Sequence, residues 1–166
     1  AYQEQYGDNF ICVIPTNIYG PHDNYSLEDG HVIPALIHRC YLNKKNNKKF
    51  IVRGTGKPLR QFIYSEDLAK LILWTLENYQ QKDSLILSVD EKDEISIKDV
   101  ALNIAKAYDY QDMIEFDTSY SDGQYKKTAD NSKLMKLYGE YQFKTIEQGI
   151  RESVKWFVDN FDRCRK

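Results

Sequence analysis

The sequence predicts an α/β fold, and three observations carry that expectation. Phe10-Ile11-Cys12-Val13-Ile14 is continuously apolar, of strand length, and stops at Pro15, the pattern of a parallel strand buried on both faces. Leu85-Ile86-Leu87-Ser88-Val89 is a second strand candidate, and Ile97, Val100, Ala101, Ile104, Ala105 and Tyr108 then recur at helical spacing, so strand and helix alternate. The 166 residues, 42% apolar and 13% aromatic, are long enough for one core and not clearly for two.

The elements follow in order. Residues 1–6 read as the last turns of a helix closing at Gly7, which implies a fragment cut inside a helix. After the first strand, residues 17–30 are rich in Asn, Asp, Gly and Pro and predict a loop. Val32, Ile33, Leu36, Ile37 and Cys40 mark the next helix, in which Pro34 fits only the first turn. Phe50-Ile51-Val52 predicts a short strand, residues 54–58 a turn, and Gln61-Phe62-Ile63-Tyr64 an extended piece. Ser65 can cap a helix whose first turn holds Glu66 and Asp67 and whose apolar face is Leu68, Leu71, Ile72, Leu76 and Tyr79. Ser96 caps the helix of residues 97–108, and Ile114-Glu115-Phe116-Asp117 is a weak strand before the polar loop Ser121-Asp122-Gly123. A helix from Ser132 closes at Gly139, and Thr145-x-x-Gln148 is a capping box that opens a last helix with Ile150, Val154, Phe157 and Phe161 inward. There are no repeats.

Composition excludes several classes. The 23 Lys and Arg against 25 Asp and Glu leave a net charge of −2, so binding of nucleic acid or membrane by bulk electrostatics is not expected. No stretch approaches a membrane span and the first residues are too polar for a signal peptide, which predicts a soluble, intracellular protein. Cys12, Cys40 and Cys164 form neither a disulfide framework nor a zinc pattern and read as buried or incidental thiols.

Three features can carry chemistry. Pro15-Thr16-Asn17-Ile18-Tyr19-Gly20-Pro21 directly follows the apolar strand, and ligands of open α/β sheets sit beyond the carboxyl ends of strands. The same letters also suit an ordinary loop. His31 stands at the mouth of a helix, where an imidazole can exchange protons near neutral pH or simply be solvated. Arg39, Arg53 and Arg60 each lie beside an apolar element, and guanidinium forks on neighbouring elements suit a diphosphate, although any one of them can be a surface arginine. A metal ranks last, because His22, Asp23, His31 and His38 contain no pair at H-x-x-x-H spacing. Tyr41-x-x-x-Lys45 matches a dehydrogenase dyad by letter but runs into the Lys/Asn-rich stretch 43–49, where the helix is expected to fray. Gly54-Thr55-Gly56 lacks the third glycine and following helix of a dinucleotide fingerprint, and Asn24-Tyr25-Ser26 is a glycosylation sequon without a secretory context.

At this point the residues carry a resemblance. Pro15-Thr16-Asn17-Ile18-Tyr19-Gly20-Pro21-His22-Asp23-Asn24 and Asp29-Gly30-His31-Val32-Ile33-Pro34-Ala35-Leu36-Ile37-His38-Arg39 resemble the GDP-L-fucose synthases, a family of extended short-chain dehydrogenase/reductases. The likeness continues through Gly54-Thr55-Gly56, Arg60-Gln61-Phe62-Ile63-Tyr64 and Ser121-Asp122-Gly123-Gln124 to Trp156-Phe157, so it covers essentially the whole chain. It implies the final part of a Rossmann-type NADP-binding domain plus a smaller α/β substrate-binding domain. Residues 1–30 and 61–89 would belong to the former, 31–60 and 90–166 to the latter. The implied reaction converts GDP-4-keto-6-deoxy-D-mannose to GDP-L-fucose, by epimerisation at C3 and C5 and then reduction of the C4 ketone with NADPH.

The resemblance makes His31 the acid of the epimerisation. It lines the nicotinamide side of NADP(H) with Pro15, Thr16, Asn17, Ile18 and His31, and places Arg39, Arg53, Arg60 and Asp122 on the GDP-sugar. It implies no metal, no nucleic acid, no membrane, and a cytoplasmic homodimer. The family's glycine-rich fingerprint, its Ser and Tyr-x-x-x-Lys residues and its acid/base cysteine match nothing in these 166 residues, so the chain alone is expected to be inactive. The alternatives are another nucleotide-sugar dehydratase or epimerase, such as a GDP-mannose dehydratase, and a binding protein that kept the fold and lost catalysis.

Overall fold

A computed structural model describes residues 2–166; the part of the opening-helix expectation that falls on Ala1 lies outside the described residues. In chain order the elements begin with α1 (Tyr2–Tyr6), which closes at Gly7 with φ of 76°, β1 (Val13–Pro15) and β2 (Asn17–Tyr19). Next come α2 (Val32–Lys45), β3 (Phe50–Arg53), β4 (Leu59–Arg60), β5 (Phe62–Tyr64) and α3 (Ser65–Asn78). The chain then forms β6 (Leu85–Leu87), β7 (Ile95–Ser96), α4 (Ile97–Ala107) and β8 (Ile114–Asp117), and ends with α5 (Ser132–Tyr138) and α6 (Ile146–Asp159). The mixed α/β class expected from the alternation is what the chain adopts. Three strand pairs are parallel, β1 with β6, β2 with β5 and β3 with β8, while β4 and β7 run antiparallel.

Two apolar clusters form on either side of β5. Side chains alternate along a strand, so Phe62 and Tyr64 face a core made with Tyr19, Tyr25, α2, α4 and α6, whereas Ile63 faces a second core with Leu68, Leu71, Leu85, Leu87 and Leu134. The two best-patterned helices have the expected caps. Ser96 Oγ accepts from the Asp99 backbone N–H, and Thr145 and Gln148 complete the capping box of α6. Gly149 in that helix is required by close approach, since a Cβ there would meet Tyr19 Oη at 2.2 Å.

Five expectations are corrected. The first strand is shorter than its apolar run, includes Pro15, and pairs on one side only among the described residues; Phe10 is 64% and Ile14 49% exposed, so it is not buried on both faces. Residues 17–19 are not loop but β2, because Asn17 Nδ2 donates to the Gln61 carbonyl at 2.8 Å and the segment registers on β5. Tertiary pairing here overrides a turn-forming composition. Ser65 is the first residue of α3 rather than its cap, as β5 runs straight into the helix from Tyr64. On α3 itself Leu76 is exposed and Asp67 is buried, where its carboxylate accepts from the Tyr141 hydroxyl at 2.9 Å and the Lys144 N–H at 2.8 Å. The end of α2 is not frayed: Tyr41 packs on Phe161 with ring centroids 4.6 Å apart, which removes it from any reductase dyad for a different reason than the one expected.

Candidate active site

The parallel strands β1 and β2 end beside a cleft of about 700 Å³. Pro15, Thr16, Asn17 and Ile18 line it, His31 stands at the entrance to α2, and residues 127–129 line it as well. The edge is held from behind. Thr16 Oγ1 donates to Ser88 Oγ at 3.2 Å, and Ser88 Oγ donates to the Val89 carbonyl at 2.9 Å. His31 is the N-cap residue of α2 in extended conformation, its side chain makes no capping hydrogen bond, and the residue is exposed where it lines the cleft. Asp23 shares the cleft, and burial pushes its carboxyl above the usual carboxylate range against the opposing pull of the Asn24 N–H and of His31.

The donor set suits the nicotinamide end of a dinucleotide. Ile18, 41% exposed, offers an apolar wall for a planar ring, beside a hydroxyl and an amide at Thr16 and Asn17. Among the described residues no glycine-rich turn leads from a strand into a helix, so what fits here is that end alone.

The arginines gather elsewhere, around the loop that follows β8. Arg39 from α2 and Arg53 from β3 share a hollow of about 260 Å³ with Ile51, Asp117 and Tyr120. Arg53 lies over the Tyr120 ring, 4.7 Å from its centroid. Burial, and then the neighbouring Arg53, push the Arg39 guanidinium below its ordinary value, a like-charge pair that an anion would relieve. Arg60 donates from Nη1 to the Leu59 carbonyl at 2.6 Å and extends over Gly123, whose added Cβ would lie 3.8 Å from Arg60 Nη2. Asp122, in the same loop, accepts from the Thr55 N–H at 2.8 Å and the Thr55 hydroxyl at 2.5 Å, and these bonds hold its carboxyl below the usual range. Asp122 therefore braces the Gly54 to Gly56 turn, where both glycines have φ near the left-handed region, at 87° and 73°.

The structure thus brings Pro15, Thr16, Asn17, Ile18 and His31 into one cleft and Arg39 and Arg53 into another, with Asp122 on the loop after β8 and Arg60 of β4 reaching over that loop at Gly123. Residues 127–129 line the cleft without any mark in the sequence, and Asp23, a candidate there only for a metal, lines it too. No local pattern marks the former, because only the fold carries them across to the strand ends. Of the remaining histidines, His22 also lines the cleft and His38 is buried. His38 Nδ1 donates to the Tyr25 carbonyl at 2.8 Å, and burial lowers the pKa of its ring. His22 lies against Trp156 with centroids 4.4 Å apart. Among the described residues no His, Cys, Asp and Glu group could hold a metal. Cys40 is buried with its thiol pushed up to about 12, which disqualifies it as an acid or base near neutral pH. Asn24 Oδ1 accepts from the Ser26 N–H at 3.2 Å and Tyr25 is fully buried, so the sequon is spent on a turn.

The chain is similar to known proteins along its whole length. The model of a family described as the NAD dependent epimerase/dehydratase family matches residues 1–89. The chain is 60% identical over 166 residues to a GDP-L-fucose synthase of Dictyostelium discoideum, covering 100% of this chain and 52% of that protein. It is 48% identical to a probable GDP-L-fucose synthase of Drosophila melanogaster, over 100% of this chain and 54% of the relative. A crystal structure of a GDP-L-fucose synthetase from Naegleria fowleri bound to NADP superposes with a TM-score of 0.93 at 49% identity, covering 95% of this chain and 47% of that one. The chain spans about half the length of the curated relatives it matches.

Proposed function

The chain belongs to the NAD dependent epimerase/dehydratase family, and from that premise we propose that it forms part of an NADPH-dependent enzyme converting GDP-4-keto-6-deoxy-D-mannose to GDP-L-fucose. The observation that carries the reading is the single cleft in which the strand-end residues Pro15, Thr16, Asn17 and Ile18 meet His31. The identity of 60% to a protein named GDP-L-fucose synthase supports it. We assign residues 1–30 and 61–89 to the cofactor-binding domain and 31–60 and 90–166 to the substrate-binding domain.

In this reading Pro15, Thr16, Asn17, Ile18 and His31 seat the nicotinamide ring of NADP(H), which when bound supplies the hydride for C4. Protons α to the C4 ketone leave as an enolate forms, and His31 returns a proton to the opposite face at C3 or C5, the step that inverts the centre. Arg39, Arg53 and Arg60 meet the diphosphate of the GDP-sugar, with Asp122 holding the loop beside them. The eight residues from His31 to Arg39 advance about 12 Å along α2, which separates the reacting sugar from the phosphates. The Tyr and Lys of ketone reduction, and the base that opposes His31, come from outside these 166 residues. The working unit is a cytoplasmic homodimer; among the described residues no helix is long and apolar enough to cross a membrane.

Turnover in deuterated water tests the reading. A polypeptide of the relatives' full length carrying this sequence should oxidise NADPH with the keto sugar nucleotide and yield GDP-L-fucose labelled at C3 and C5. Reduction without label at either carbon would make it a plain ketone reductase, and no reduction at all would leave a binding protein.

A further inference from the structure

Gln61 lies between β4 and β5, is completely buried, and has both ends of its side-chain amide hydrogen-bonded. Its Nε2 donates to the Val89 carbonyl at 2.9 Å and to the Ala129 carbonyl at 3.0 Å, while its Oε1 accepts from the Ala129 N–H at 2.7 Å. Its own backbone carbonyl accepts from Asn17 Nδ2 at 2.8 Å. One residue therefore ties together the strand-end wall at Asn17, the segment that follows β6 and the cleft-lining residues 127–129. Residues 126–131 form a strap with further anchors. Lys126 Nζ reaches Glu91 at 2.5 Å and Glu94 at 3.3 Å, Thr128 Oγ1 donates to Glu94 at 2.5 Å, and Asn131 Nδ2 donates to the Ser88 carbonyl at 3.0 Å.

We infer that Gln61 is a positioning residue for the reaction: it fixes the spacing between the nicotinamide wall and the strap, and with it the register of the ketone carbon against the hydride donor. The inference rests on the function proposed above. Only a primary amide of this length satisfies the geometry. A carboxylate accepts from the Ala129 N–H but presents charge to the Val89 and Ala129 carbonyls, and an apolar side chain strips the Ala129 N–H and carbonyl of these partners while leaving the Val89 carbonyl only its bond from Ser88 Oγ. Asparagine is one methylene too short to span the gap. The chemistry-bearing groups are unaltered in such variants, so the defect is one of distance, and a misplacement near 1 Å costs about a hundredfold in rate.

The test uses the full-length enzyme with Gln61→Glu and Gln61→Met. For each, kcat per folded molecule, the NADPH Kd and the isotope effect from NADPH deuterated at the transferred position are measured. Expected are a kcat lowered by about 10- to 100-fold and an isotope effect that rises as hydride transfer becomes the slow step. A merely structural role would reduce the folded fraction and leave both quantities unchanged in the molecules that fold, and that result overturns the inference. Should neither variant fold, Glu94→Ala releases the same strap at its Lys126 and Thr128 anchors and must show the same rise in isotope effect; an unchanged value there also overturns it. A wild-type enzyme that does not reduce the keto sugar sinks the parent reading and this one together. A wild-type enzyme that turns over while the variants match it sinks this one alone.

Discussion

His31 closes no helix turn with its side chain, so little of α2 depends on it, and the Gln substitution tests its chemistry with small structural cost. In the full-length enzyme His31→Gln should slow C3 and C5 epimerisation by about 10² to 10⁴, the worth of a positioned general acid, while the fold persists. Solvent deuterium separates the steps, since label can still enter at C3 by deprotonation while epimerised product falls. Product formed at the normal rate would make His31 a helix-mouth residue and no more. Arg39→Ala and Arg60→Ala should each raise the KM for the GDP-sugar by about tenfold or more, the loss of a charge-assisted bond of ~1.5 to 3 kcal/mol. An unchanged KM in both would refute the diphosphate assignment. Position on a helix mouth or beside a strand was legible in the sequence for these residues. The grip of Asp122 on Thr55 was not, because it joins two loops 67 residues apart.

Among the elements, α6 was the most legible. Its capping box and its inward Ile150, Val154 and Phe157 follow from spacing alone. What α6 packs against was not legible. Tyr64 at the end of β5 donates its hydroxyl to Glu152 at 2.7 Å, and Lys144 Nζ reaches the same carboxylate oxygen at 2.6 Å. Lys144 first and the Tyr64 bond second hold the Glu152 carboxyl below its ordinary value of 4.5. A carboxylate whose pKa is depressed by folding adds stability above its unfolded pKa and loses it as pH falls through the folded one. Thermal melting of the wild type should therefore decline as pH drops below about 4.5, and Glu152→Gln should melt lower at neutral pH with a flatter acid limb. The carboxylate is about half exposed, so salt should shrink the difference. Parallel acid limbs in the two proteins would show that the contact contributes nothing.

At the scale of the molecule, the described residues hold the proposed cofactor edge and the proposed acid but no reductase dyad in the cleft. Tyr41, the one tyrosine four residues before a lysine in α2, has its ring against Phe157 and Phe161. The 166-residue polypeptide by itself should therefore show no NADPH oxidation with the keto sugar nucleotide. Detectable oxidation, in a preparation proven free of full-length enzyme, would contradict that expectation. The open side of β1, with Phe10 and Ile14 exposed, also gives this polypeptide an unpaired apolar strand edge.

By itself the sequence determined the α/β class, most helices with their caps, and the candidates His31, Arg39, Arg53 and Arg60, because these depend on periodicity, on cap chemistry and on residues near one another in the chain. Only the tertiary structure decided that residues 17–19 form a strand, that Asp67 rather than Leu76 turns inward, and that the 127–129 strap faces Asn17 through Gln61. Each of those is settled by a partner dozens of residues away. No local propensity reports whether an asparagine will find a carbonyl in a neighbouring strand, or whether a buried carboxylate will find a hydroxyl to satisfy it.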